Sequence, residues 1–552
     1  MRKLVVGIAF VVVLIAASAA LLSQHPELAM RVPGIVGRIL DPVGENVPVV
    51  WQAGPSEAPS RARPPNIVVI VADDLGYNDL TFGGGGVANG AVPTPSIDGI
   101  ARAGVEYTRG YTGNATCAPS RAAILTGRYP TRFGFEFTPV PKQFARLIAW
   151  MRREEALPPF YFAEREDEVP PLAEQGMPPS EITLAELLRE RGYRTLGLGK
   201  WHLGEAARFR PEAQGFDEYL GFLSGGSLYL GRDDPNAVNS LQDFDPIDRF
   251  LWANLVFGVR KDGGPRFAPD AYLTDYLARE AASAIAANRH RPFFLYLAFN
   301  APHTPLQALR SDYDALPQIE HHTLRTYAAM IRALDRGVGS VLEALRANGL
   351  EENTLVIFTS DNGGAEYVGL PDLNKPYRGW KMTFFEGGVR TPFFAKWPAR
   401  LPAGSRFHTP AAHVDIFATA AGAAGAALPS DRVIDGVDLV KLALGEAQGR
   451  PHGAIFWRSG HYRVILADDW KLQLSERPKQ AWLFDLRTDP TERNNLADTR
   501  PDKLRELAAI LAEHEAQMIL PAWPALIEGP IAVDHTLAEP LKPGEEMVYW
   551  PN

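Results

Sequence analysis

At 552 residues the chain is too long for a single hydrophobic core, so two domains, or one large domain with a smaller companion, are expected. With 46% hydrophobic and 22% charged residues it reads as globular, and a net charge of −9 argues against nucleic acid as a partner, because no basic excess is available to neutralise phosphates. A single cysteine, Cys117, rules out an intramolecular disulfide framework.

Met1-Arg2-Lys3 is followed by an uncharged run from Leu4 to Leu22. It suits either a secretory signal, with Ala17-Ser18-Ala19 as a small-residue cleavage site, or a membrane anchor whose N-terminus Arg2 and Lys3 hold in the cytoplasm. Both readings export the rest of the chain, to the periplasm or the outside. In an oxidising compartment a lone reactive thiol is a liability, so Cys117 calls for its own explanation. Residues 23–65 read as a proline-rich linker, 66–449 as a catalytic α/β body, and 450–552 as a smaller C-terminal α+β domain.

The body opens with Asn66 to Ala72, a β-branched run suited to a strand buried on both faces of a parallel sheet. It ends in Asp73-Asp74, where open α/β sheets collect ligands, and two adjacent carboxylates are poor neighbours unless a cation holds them. Thr94-Pro95 opens a helix that Gly104 closes, and Val105 to Tyr111 is expected as the next strand. Cys117-Ala118-Pro119-Ser120-Arg121 then starts a short helix ending at Gly127, which sets Cys117 at a helix N-terminus with Arg121 one turn on. The free N–H groups and the dipole there favour an anion.

An amphipathic helix carrying Phe144, Leu147, Ile148 and Met151 comes next, expected to pack on the body or to serve as a lid or membrane-facing surface. Thr183 to Glu186 is a capping box for a helix that stops at Gly192, and a strand from Tyr193 to Leu198 leads to Gly199-Lys200-Trp201-His202. If that strand continues, Lys200 and His202 point the same way. Ser224 to Phe267 lacks periodicity and reads as a loop system near the site mouth. A strand from Phe293 to Phe299 precedes Pro302-His303, and a long amphipathic helix from about Tyr327 to Gly349 precedes the strand Thr354 to Thr359, followed by Asp361-Asn362. Lys381 lies ahead of Glu386-Gly387-Gly388. Past Arg450, strands at Tyr462, Trp470 and Leu483 and a helix through Leu504, Leu507, Leu511 and Met518 are expected.

Cys-x-Pro-Ser-Arg with its Thr126-Gly127 close resembles the signature of the type I, formylglycine-dependent sulfatases of the alkaline phosphatase superfamily. Gly-Lys-Trp-His-x-Gly, the Pro-His pair and the Lys381 segment are similar to further blocks of that family, in the expected order. The resemblance implies a large mixed, mostly parallel sheet flanked by helices, alkaline phosphatase-like, with a smaller C-terminal α+β domain. It implies that a maturing enzyme oxidises Cys117 to formylglycine, whose hydrate attacks the sulfur of a sulfate ester, aryl or sugar. It also implies that Arg121, Lys200, His202, His303 and Lys381 surround the sulfate, with His303 or Lys381 protonating the leaving oxygen and His202 taking a proton. Asp73, Asp74, Asp361 and Asn362 form an all-oxygen set suited to a hard cation; the family favours Ca²⁺ over Mg²⁺, with the oxygen made from Cys117 completing the shell. Ser224 is a candidate at the bridging oxygen. Two other readings stand: a phosphonate monoester or phosphodiester hydrolase on the same scaffold, and a non-catalytic anion- or glycan-binding protein with unmodified Cys117.

Overall fold

The computed structural model describes residues 30–57, 63–447 and 449–552. The uncharged run from Leu4 to Leu22 therefore lies outside the described residues. Among those described, no helix is long and apolar enough to cross a membrane.

The main sheet has nine strands: β1 (Asn66–Ala72), β2 (Val105–Tyr107), β3 (Arg194–Lys200), β4 (Glu218–Phe222), β5 (Arg260–Lys261), β6 (Phe293–Ala298), β7 (Thr354–Ser360), β8 (Phe393–Lys396) and β9 (Ser405–Phe407). Their spatial order is β9-β2-β8-β7-β1-β6-β3-β4-β5. The five central strands from β7 to β4 are parallel, while β8 and β5 run antiparallel to their central neighbours. Every residue of β1 is buried, as its unbroken β-branched run requires. Its side chains divide with period two: Val68 and Ile70 join one core, Ile67, Val69 and Val71 the other. Each fully buried Val or Ile is worth about 1.5–3 kcal/mol.

Helices cover both faces. The helices of the chain include, in order, α1 (Pro95–Arg102), α2 (Cys117–Thr126), α3 (Lys142–Met151), α4 (Leu184–Glu190), α5 (Pro246–Asn254), α6 (Leu273–Ala287), α7 (His322–Ala347), α8 (Val414–Ala423) and α9 (Pro501–Glu515). Residues of α1, α6 and α7 pack into the first core, those of α2, α4 and α8 into the second. The capping box of α4 is present, with Thr183 Oγ1 accepting from the Glu186 N–H at 3.1 Å and Glu186 accepting from the Thr183 N–H at 2.8 Å.

Four expectations are corrected. The strand from Val105 to Tyr111 breaks after Tyr107, because Gly110 and Tyr111 leave the main sheet to pair with Ala411 and Ala412. β3 runs on to Lys200, but His202 has φ 59°, so strand alternation does not orient it relative to Lys200. The Ser224–Phe267 region holds a strand (Ala237–Ser240), α5 and β5; the Asp245-Pro246 start of α5, with Asp245 accepting from the Ile247 N–H at 2.9 Å, was its readable signal. The last helix stops at Glu515, leaving Met518 outside it as a thioether acceptor for Thr131 Oγ1 at 3.1 Å.

After Arg450 the chain forms a four-stranded antiparallel sheet, β10 (Ala454–Ser459), β11 (Tyr462–Ala467), β12 (Trp470–Glu476) and β13 (Lys479–Asp485). Ile465 and Leu472 on one face meet Leu507 and Leu511 of α9, while Tyr462, Val464 and Trp482 on the other merge with the first core. The last strands, β14 (Ile527–Ala532) and β15 (Met547–Pro551), pair with each other, and β14 pairs back to Phe160–Tyr161. The C-terminal segment is thus tied into the larger body.

Candidate active site

The C-terminal ends of four neighbouring parallel strands converge. β1 delivers Asp73 and Asp74, β7 delivers Asp361 and Asn362, β3 ends on Lys200 with His202 just beyond, and the chain after β6 reaches His303. Ala72 is in register with Ser360, and Ala298 with Gly199, so the four ends are level. Gly199 is fixed by that closeness: its φ is 93° and a Cβ would stand 1.8 Å from the Ala298 carbonyl oxygen.

Cys117 begins α2, whose end is marked by Gly127 at φ 68°. Thr116 makes no side-chain cap, so the first-turn N–H groups stay available for an anion. Ser120 holds the preceding turn, its hydroxyl accepting from the Asn114 N–H at 3.2 Å. Arg121 is fully buried. Its Nε and Nη2 donate to Asp361 Oδ2 at 3.0 and 2.7 Å, its Nη1 to the Lys200 carbonyl at 3.2 Å, and its Nη2 stands 3.4 Å from Asp73 Oδ2.

The carboxylates are shared out among the cations. Lys200 Nζ donates to Asp73 Oδ2 at 2.6 Å and the Cys117 thiol points to Asp73 Oδ1 at 3.7 Å. Asp74, at φ 62°, receives Lys381 Nζ at 2.8 Å, the Asn362 amide at 2.7 Å and the Tyr367 hydroxyl at 2.9 Å, with His303 Nε2 at 3.7 Å. Three cations therefore face three carboxylates. Burial and the neighbouring Asp361 push the Asp73 carboxyl up in spite of Lys200 and Arg121. Burial also opposes the charge on Asp74, yet Lys381 and His303 hold it far below the usual range. Burial, with Lys200 and Arg121 adding to it, keeps His202 neutral well below its ordinary value.

One ligand atom each from Asp73, Asp74, Cys117 and His303 lies within 4.8 Å of the others. Among the described residues the buried Asn362 Oδ1 atom has no hydrogen-bond partner. An orphaned amide oxygen beside carboxylates, one of which burial drives toward protonation, fits a hard divalent cation. Asp361 is more committed: Arg121 takes one oxygen and the Asp74 N–H reaches the other at 3.2 Å. His303, read from the sequence as a substrate contact, is near enough to join the donor set.

Every site residue picked from the sequence is buried around this point except Ser224, which lies in the wall of the adjoining cleft with its hydroxyl donating to the Gly226 carbonyl at 3.1 Å. Tyr367 was missed. Its hydroxyl bonds Asp74 and accepts from Lys381 Nζ at 3.2 Å, but a tyrosine in a short 3₁₀ turn carries no spacing signal.

A family model described as Sulfatase matches residues 65–426. The chain belongs to the sulfatase family. It is a sulfuric ester hydrolase with a mixed, mostly parallel sheet of the kind the family shares. This sulfatase is 31% identical over 512 residues to N-acetylgalactosamine-6-sulfatase of Mus musculus, covering 85% of this chain and 89% of that one. It is 34% identical over 468 residues to steryl-sulfatase of Mus musculus, covering 74% and 69%. The crystal structure of Ps i-CgsB in complex with k-i-k-neocarrahexaose superposes with a TM-score of 0.69 at 32% identity, covering 84% of this chain and 95% of that one. Family membership implies a divalent metal and a formylglycine, and the buried donor set fits the metal.

Proposed function

We propose that Cys117 is oxidised to formylglycine and that the mature protein hydrolyses a sulfate monoester in a site that holds Ca²⁺, with Mg²⁺ as the second choice. The observation that carries this reading is the buried meeting of Cys117, at a helix N-terminus, with three carboxylates, three cations and an unpartnered Asn362 oxygen. Asp73, Asp74, Asp361 and Asn362 would hold the metal, which when bound would supply positive charge to neutralise sulfate oxygens. Formylglycine supplies an oxygen nucleophile on the carbon that now carries the thiol.

The remaining residues bind and move protons. Arg121 anchors Asp361 and Asp73, while Lys200 and Lys381 place fixed positive charge where the sulfate builds negative charge. Lys381 and His303 share Asp74, and either would give a proton to the leaving oxygen. His202, neutral and with Nδ1 unpartnered, is the proton acceptor that renews the site.

Cys117 is only 4% exposed, so a maturing enzyme would reach it before the fold closes. The uncharged run from Leu4 to Leu22 supports export, as a cleaved signal or a retained anchor, with residues 66–449 as the catalytic body and 450–552 as its companion. The sulfated alcohol is a small molecule or a sugar unit; the names of the relatives include both kinds. Turnover of an aryl sulfate and an aryl phosphodiester by matured protein and by Cys117→Ala tests the reading. Sulfate hydrolysis lost in the variant is expected. Preference for the phosphodiester, or undiminished activity of the variant, would overturn it.

A further inference from the structure

The site floor opens into a cleft of about 380 Å³, within the range of pockets that hold small organic ligands. Cys117, His202, His303 and Lys381 line its base. Its walls come from three separate parts of the chain: Phe144 and Ile148 of α3, Phe250 and Leu255 at α5 and just past it, and Ile531 and Trp550 of the C-terminal strands. Phe144 meets Phe250 edge to face, with centroids 4.7 Å apart, and the two with Leu255 stay half-exposed to the cleft. Apolar side chains left uncovered beside a catalytic floor mark a surface kept for an apolar ligand.

Several polar side chains in these walls are committed to the protein, while the carboxylate of the exposed Glu205, which also lines the cleft, has no hydrogen-bond partner among the described residues. Gln175 accepts from the Val140 N–H at 2.8 Å and donates to the Val140 and Pro170 carbonyls, both at 3.0 Å. Asn552 accepts from the Thr138 N–H at 2.9 Å, Asp245 caps α5, and Arg152 Nε donates to Glu155 at 2.9 Å. A sugar carries a hydroxyl on nearly every carbon, and each one buried without a partner costs free energy. Apart from Glu205, these walls offer such hydroxyls little, and a hydrocarbon much.

We infer that the alcohol half of the substrate is a hydrocarbon skeleton, a ring phenol or an alicyclic alcohol, and not a sugar. The inference rests on the sulfatase reading of the floor. Hydrolysis breaks the ester bond between sulfur and the alcohol oxygen; the oxygen of water ends on sulfur, one of its protons goes to the departing alcohol, and no oxidant is consumed. Specificity resides in α3, α5 and the C-terminal strands, while the chemistry resides at the strand ends.

The test compares two primary alkyl esters of equal ring size, cyclohexylmethyl sulfate and galactose 6-sulfate, as substrates of matured protein. The cyclohexylmethyl ester is expected to have the higher kcat/KM by about 10²-fold or more, the scale on which a site without partners rejects added hydroxyls. Phe250→Ser is expected to narrow that ratio about tenfold, chiefly through KM, and Leu255→Ser serves if Phe250→Ser fails to fold. Independently of turnover, Cys117→Ala protein is expected to bind 2-naphthol saturably, with binding weakened by Phe250→Ser and undisturbed by galactose. Equal or faster turnover of galactose 6-sulfate, or absence of naphthol binding, overturns the inference and leaves the sulfatase reading intact. Naphthol binding by a matured protein that hydrolyses neither ester supports the pocket assignment and sinks the sulfatase reading instead.

Discussion

Lys471 and Lys200 are both fully buried lysines, and the company each keeps separates structure from chemistry. Lys471, on β12, lies 2.9 Å from Glu386 and 3.0 Å from Glu492. Those carboxylates are in turn taken up by Tyr111 at 3.0 Å, Arg390 at 3.2 Å and Gln473 at 3.1 Å. The cluster is saturated and ties the C-terminal sheet to the Glu386 segment of the body. Around Lys200 the accounts do not close: among the described residues Asn362 Oδ1 and His202 Nδ1 have no partner, and the cluster opens into the cleft. Satisfied buried networks rigidify, whereas a half-satisfied one is strained until something binds.

The contrast can be broken by mutation, and the largest effect is expected at Cys117. Cys117→Ala should lower kcat/KM by at least about 10⁴-fold, as loss of a nucleophile does, while its urea midpoint stays at the wild-type value. Lys471→Met should do the reverse. It strands two buried carboxylates and should cost about 3–5 kcal/mol in urea unfolding, with KM of the folded protein little changed. If Lys471→Met instead abolished catalysis without loss of stability, the division between the clusters would be wrong.

Metal dependence sharpens the same division. Chelation should lower both activity and Tm, and Ca²⁺ restored to 100 times its Kd should return about 2.7 kcal/mol of stability. Asn362→Leu should lose most of that return, whereas Lys471→Met should keep it.

The smallest effect is expected from His514, which belongs to neither cluster and stacks on Phe456 with centroids 3.7 Å apart. Burial, helped by Arg132 and Arg458, lowers its pKa from 6.5 to about 4. Because the folded pKa is depressed, the unfolded chain takes up the proton first. The contribution is therefore whole above pH 6.5 and drains away as pH falls toward 4. His514→Phe should flatten that part of the stability–pH profile by about 1 kcal/mol or more, read from urea midpoints between pH 7 and 4.5.

Much of this was legible in the chain. β1, β6 and β7 are largely apolar runs followed within a few residues by Asp73-Asp74, Pro302-His303 and Asp361-Asn362, so strand ends and chemistry could be read together. The helix of Cys117 announced itself through Pro119 and Gly127. What was not legible depends on contacts distant in sequence. Tyr367 joins the site because a 3₁₀ turn brings it to Asp74, 293 residues away. The backbone at His202 turns into the left-handed region, which no alternation rule foresees. The cleft walls join α3, α5 and β15, and no local periodicity says that Phe144 will face Phe250. The helix of Phe144 and Ile148 was readable; the surface it shares was not.

The most direct test of the central claim is the mass of the tryptic peptide Gly110 to Arg121 from protein made in its own host or with a converting enzyme. The account predicts a peptide that has lost its sulfur and gained a hydrazide-reactive aldehyde at Cys117. An intact, alkylatable thiol in fully active protein would contradict it.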